Sequence, residues 1–92
     1  MKHAEILQSA TDLYKDRGLH YGHPSDNMER AARLISAYLE MPVMDYQVAV
    51  ILSLVKLARS IEDGHLVDTW IDAASYIAIA GQLQTEENEL YV

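Results

Sequence analysis

Met44-Asp45-Tyr46-Gln47-Val48-Ala49-Val50-Ile51-Leu52-Ser53-Leu54-Val55-Lys56-Leu57-Ala58-Arg59-Ser60-Ile61-Glu62 is the stretch that decides the fold. Val48, Val50, Ile51, Leu52, Leu54, Val55, Leu57 and Ile61 fall almost all round a helix of 3.6 residues per turn, and such a helix is enclosed on most sides. Its neighbours must supply the enclosure. Upstream, Met41-Pro42-Val43 ends a second helix that reaches back to Ser25 or Asp26, either of which can cap it. Met28, Ala31 or Ala32, Leu34 or Ile35, and Tyr38 are expected on its inward side. A first helix is read from about Lys2 to Arg17, with Gly18 at the C-terminal cap position. Downstream, Asp63-Gly64-His65 turns the chain into a fourth helix that opens at Val67 or Asp68 and reaches about Gln84.

No stretch alternates as a strand does. The expectation is an all-α, four-helix bundle-like domain over residues 1–84 and an acidic C-terminal tail over 85–92, whose Leu90-Tyr91-Val92 can dock on a neighbouring subunit. A chain of 92 residues buries only a little over ~60% of its unfolded surface, so a homo-oligomer, dimer or larger, is expected. Ala73, Ala74, Ala78, Ala80 and Gly81 let two helix backbones approach closely, which makes the fourth helix the expected subunit contact.

Composition narrows the function. No apolar run approaches the ~18 residues of a membrane span, and the first residues lack a signal-peptide core, so a cytoplasmic protein is expected, with no membrane partner. Absence of cysteine removes disulfides, thiolate metal sites and thiol nucleophiles together. The net charge is −7, and no Lys or Arg follows Arg59. Such a field repels extended nucleic acid. The basic residues nevertheless group as Lys15/Arg17, Arg30/Arg33 and Lys56/Arg59, which can make one positive pocket suited to a small anion; the alternative is solvated charges and ion pairs.

Arg17-Gly18-Leu19-His20-Tyr21-Gly22-His23-Pro24-Ser25-Asp26-Asn27 gathers glycines, histidines and a tyrosine between two helical patterns and reads as a binding loop. His20, Tyr21 and His23 can stack on a base or bond to sugar and phosphate; Tyr21 can equally anchor a core, and Asn27 can equally brace the entry to the second helix. Zinc on His20, His23 and His65 is a further reading without cysteine support. Lys56 and Arg59 share a helix face, as do Asp68, Asp72 and Tyr76, and an antiparallel pair of helices sets one stripe against the other. Either the stripes form a salt-bridge ladder, or Lys56 and Arg59 hold phosphate oxygens while Asp68 and Asp72 orient them or hold magnesium. Trp70 is read as a core residue. No HExxH, P-loop or GxGxxG pattern occurs, and no serine has a nucleophile context.

Tyr21-Gly22 followed by Asn27, Arg30 or Arg33 with Leu34, Tyr38-Leu39, Lys56-Leu57-Ala58-Arg59 and Asp68-Thr69-Trp70-Ile71-Asp72-Ala73-Ala74-Ser75-Tyr76 resembles a family of small phage and prophage proteins of uncharacterised function. The likeness covers about Leu13 to Leu83, and His23 stands where that family's loop usually has an acid. The family is in turn distantly similar to the MazG-type all-α nucleoside triphosphate pyrophosphohydrolases, oligomeric helical bundles that cut nucleotides with magnesium. Those enzymes carry glutamates where the third helix here offers Lys56 and Arg59; Asp68 and Asp72 resemble their second acidic pair, and Asp26 with Glu29 can stand in for the first.

Three functions are therefore on the table. The first is a non-catalytic oligomer that binds a small phosphorylated nucleotide through Arg17, His20, Tyr21, His23, Asn27, Arg30, Lys56, Arg59 and Tyr76, sequestering a host nucleotide signal in the host cytoplasm. The second is a magnesium-dependent pyrophosphohydrolase with the metal on Asp68 and Asp72. The third is a structural or interaction protein whose charged stripes are internal ion pairs.

Overall fold

The computed structural model describes residues 1–89, and these form four helices: α1 (His3–Tyr21), α2 (Pro24–Leu39), α3 (Asp45–Arg59) and α4 (Val67–Glu89). None of them is long and apolar enough to cross a membrane. The all-α expectation holds throughout the described residues. α3 begins where the Met44 amide donates to Gln47 Oε1 at 2.8 Å, and it ends where the Ser60 amide turns back to the Leu57 carbonyl at 3.1 Å. The short turn after it returns the chain antiparallel, and α3 with α4 forms the main contact of the fold, α1 lying against α4 and α2 against α3.

Small side chains build the α3–α4 seam. Ala49 and Ser53 on α3, and Ala73 and Ala80 on α4, are all buried. The backbones come close enough for Ser53 Oγ to donate to the Ala73 carbonyl on the facing helix at 3.0 Å. Ala73 and Ala80, read as part of a subunit contact, thus serve the interior of a single chain. Ala74 and Ala78 line a groove against Leu7, Ala10 and Thr11 of α1. Trp70, read as core, is only partly covered and donates its indole N–H to the Gly64 carbonyl at 2.9 Å, stapling the α3–α4 turn.

Several boundaries and faces differ from the reading of the sequence. α1 does not stop at Gly18 but continues to Tyr21, because a glycine in an exposed helix costs only ~1 kcal/mol against Ala and the real stop lies ahead. α4 runs on to Glu89, helped by Gln82 Nε2 donating to Glu86 Oε1 at 2.7 Å and by Thr85 Oγ1 donating to the Gly81 carbonyl at 2.8 Å. The first half of the expected acidic tail is therefore helical, and Leu90-Tyr91-Val92 lie outside the described residues. Tyr38, expected inward, is 85% exposed, and of Leu34 and Ile35 it is Ile35 that turns inward with Ala32, half-buried, while Leu34 stays 69% exposed. α3 is enclosed on one side only: Ile51, Leu54 and Val55 remain open.

Candidate functional site

Because α1 runs through Gly18, Tyr14, Arg17, Gly18 and Tyr21 are spaced i, i+3, i+4 and i+7 and share one face. Pro24, Asn27 and Met28 share a face of the first turns of α2, and Ser75, Tyr76 and Ile79 a face of α4. These three faces meet around a cleft of about 350 Å³. Among the described residues it is lined by one cation and no carboxylate, in a chain of net charge −7.

The connector that shapes the cleft is two residues long, not a loop of eleven. Gly22 ends α1 with φ 82° and ψ −171°, a conformation open essentially to glycine alone. His23 follows in extended backbone, as a residue before proline prefers, and Pro24 starts α2 where a missing N–H costs nothing. His23 is the N-cap: its Nδ1 accepts from the Ser25 amide at 3.1 Å and lies 2.7 Å from Ser25 Oγ. Asn27 Nδ2 donates to the Tyr21 carbonyl at 2.9 Å, satisfying an acceptor that the end of α1 leaves without a helical partner. The brace and the cleft wall are thus one residue. His20 stands outside, edge-on to Tyr21 with ring centroids 6.3 Å apart.

Of the residues singled out from the sequence, Arg17, Tyr21, Asn27 and Tyr76 come together in the cleft. Lys56 does not reach it. Its Nζ is 2.8 Å from Asp72 Oδ2, and Asp72 Oδ1 is 3.9 Å from an Arg17 guanidinium nitrogen. Lys56 and Asp72 are both largely buried, whereas Arg17 is half exposed. Lys56 therefore steadies Asp72, and Asp72 restrains Arg17 loosely enough to leave the guanidinium donors for a ligand. Arg30, Arg59 and Asp68 are exposed on their helices and line no part of this cleft. The expected ladder is reduced to one close rung, Lys56–Asp72, among the described residues.

Asp68 and Asp72 line a neighbouring opening of about 470 Å³ with Asp12 and Asp16 of α1, and Arg17 borders both openings. Among the described residues no three His, Asp or Glu side chains are arranged to hold a metal ion, the histidine trio included. Tyr14, Met28, Ser75 and Ile79 belong to the cleft and were not singled out as site residues. Tyr14 was legible only as core, and its i, i+3, i+4, i+7 relation to Arg17, Gly18 and Tyr21 shows once Gly18 is kept inside the helix.

Comparison with known proteins fits the phage likeness. The Gene 55 protein of Mycobacterium phage D29 is 35% identical over 85 residues, which are 91% of this chain and 56% of that protein. The Gene 55 protein of Mycobacterium phage L5 is 35% identical over 88 residues, 94% of this chain and 56% of its own length. The chain thus spans little more than half of these relatives. No solved structure matches. The model of one family covers residues 5–84, the cleft with all its walls, and the chain belongs to that family, the domain of unknown function DUF6378.

Proposed function

We propose that the cleft between α1, α2 and α4 binds a small phosphorylated nucleotide, without extended nucleic acid and without catalysis, and that in a phage setting it sequesters a host nucleotide signal in the host cytoplasm. The observation that carries this reading is the chemistry of the walls. Tyr14, Tyr21 and Tyr76 with Met28 and Ile79 offer π and apolar surface for a base, and Arg17 offers a planar fork for phosphate oxygens. The start of α2 adds the positive end of a helix dipole on the same side. A volume of about 350 Å³ lies at the small end of the ~300–1,000 Å³ typical of ligand pockets, the size of a mononucleotide rather than a polymer.

Thermal shift tests it, with nucleoside mono-, di- and triphosphates, cyclic nucleotides, inorganic phosphate and unphosphorylated nucleosides, each with and without magnesium. A ligand at ~100 times its dissociation constant stabilises by ~2.7 kcal/mol. Nucleotides should shift the wild type and barely shift Arg17→Ala, while nucleosides should shift neither. No shift with any of them would leave the structural reading of the charged stripes.

The magnesium-dependent pyrophosphohydrolase, with its MazG-type likeness, is the second reading, and what favours it is the grouping of Asp68 and Asp72 with Asp12 and Asp16 around one opening. The donors do not fit an ion as they stand. Asp72 is committed to Lys56, and no third ligand completes a set among the described residues. No hydrolytic step is derived from them. A melting shift with magnesium alone, lost in Asp68→Ala, would favour this reading over the first.

A further inference from the structure

Met44, Gln47, Ile51, Leu54, Ala58 and Ile61 succeed one another by three, four, three, four and three residues, the a/d spacing of a coiled-coil seam. Gln47, Ile51, Leu54 and Ala58 lie on the side of α3 away from the α4 seam, and Met44 and Ile61 flank the two ends of the helix. Ile51, Leu54 and Ile61 are 44%, 56% and 85% exposed, whereas Ala49 and Ser53 on the opposite side are buried. No charge interrupts the stripe, although the chain as a whole carries −7. An exposed apolar face of that length is what a second helix covers.

We propose that this face meets the same face of a second copy of the chain, α3 against α3, antiparallel about a two-fold axis that passes between Ile51 and Leu54. Surface area supports a second copy. A folded monomer of 10.4 kDa is expected to expose roughly 5,400 Å² by the scaling of accessible area with mass, and this chain exposes 6814 Å². The excess, which exposed apolar residues of the other helices share, leaves room for the ~800 Å² that each partner contributes to a standard stable interface. Charge selects the antiparallel arrangement. It brings the α3 end that carries Arg59, which has no ion-pair partner among the described residues, beside the end of the second copy that carries Asp45. It also opposes the two helix dipoles. Shape agrees: an apolar recess of about 360 Å³ beside Ile51, walled by Leu39, Met41, Pro42 and Tyr46, takes Leu54 of the second copy as a knob enters a hole.

This inference is independent of what the cleft binds, because the stripe shares no residue with it. Sedimentation equilibrium of the full chain should give twice the 10.4 kDa mass at micromolar concentration. Leu54→Glu, which puts a carboxylate in the seam, should raise the dimer dissociation constant at least ~100-fold. Ile77→Glu, on the exposed side of α4, should leave it unchanged. Because the chain has no cysteine and Leu54 faces Ile51 of the second copy, an equimolar mixture of Ile51→Cys and Leu54→Cys chains supplies a conservative second measurement: mild oxidation should give a disulfide-linked pair of one of each, and a mixture of Ile77→Cys with Leu54→Cys chains should not. A wild type that stays monomeric at ~100 µM, where even a weak specific dimer is populated, overturns the proposal. So does a dimer broken by Ile77→Glu but not by Leu54→Glu, or a failure of the mixed Ile51→Cys and Leu54→Cys chains to cross-link.

Discussion

Lys56 Nζ and Asp72 Oδ2 are 2.8 Å apart across the α3–α4 seam, and the other oxygen of the same carboxylate looks toward Arg17 at 3.9 Å. One aspartate thereby ties α3, α4 and α1 together. Asp72→Ala should cost ~1–3 kcal/mol, below the ~3–5 kcal/mol of a fully buried broken pair because both partners keep some solvent. Asp26→Ala, at an exposed site in the first turn of α2, should cost under ~1 kcal/mol. Urea denaturation decides between them. Equal, small losses would mean that the Lys56–Asp72 pair contributes nothing measurable.

Gly22 should be the least replaceable glycine. At φ 82° and ψ −171° an added Cβ meets no atom within 4 Å, so the penalty of Gly22→Ala is purely one of backbone conformation, ~1–3 kcal/mol. In a domain this size that lowers the melting midpoint by roughly 4–8 °C per kcal/mol. An unchanged midpoint would refute the assigned conformation.

Gly18 should behave oppositely and separate folding from binding. It sits inside α1 with open space around its missing Cβ, so Gly18→Ala should stabilise the helix by ~0.5–1 kcal/mol. Its methyl projects into the cleft that Gly18 lines, so nucleotide affinity should fall while the midpoint rises. A variant that gains both would remove this cleft as the binding site.

The two glycines also show where the sequence was readable and where it was not. The apolar run of α3 is too long for a strand, and it announced itself. Gly18 looked like a stop because cap glycines and mid-helix glycines are identical in a sequence; what distinguishes them is Pro24, which forces His23 to be extended and moves the stop to Gly22. Ligand-capable side chains at Arg17, Tyr21, Asn27 and Tyr76 were recognisable by type. The role of Lys56 was not, because helical spacing places Lys56 and Arg59 on neighbouring sides of α3 without saying that one faces Asp72 and the other solvent. The enclosure of α3 was inferred from its own residues alone, and the other helices of this chain leave Ile51, Leu54 and Val55 open.

Glu40 closes α2 in the left-handed region, φ 57° and ψ 36°, with its amide bonded to the Ser36 carbonyl. That conformation costs a residue with a Cβ ~1–2 kcal/mol, of which glycine recovers part after its own entropy loss. Glu40→Gly should therefore stabilise by ~0.5–1 kcal/mol, read as a higher urea midpoint with an unchanged slope. A lower midpoint would show that the glutamate side chain has a role that none of its hydrogen bonds or ion pairs reveals.

The two-residue connector at Gly22 has a mechanical meaning. α2 is a rod of 16 residues, about 24 Å long, joined to α1 by two residues only, so a rotation of about 5° at Gly22 would swing its far end by about 2 Å. That far end is pinned: Ser36 Oγ accepts from the Val43 amide at 2.9 Å and donates to its carbonyl at 3.3 Å, fastening α2 to the approach to α3. The rod is therefore held at both ends, by Asn27 on the Tyr21 carbonyl and by Ser36 on Val43, so a shift of α3 is passed to the α2 wall of the cleft as a whole.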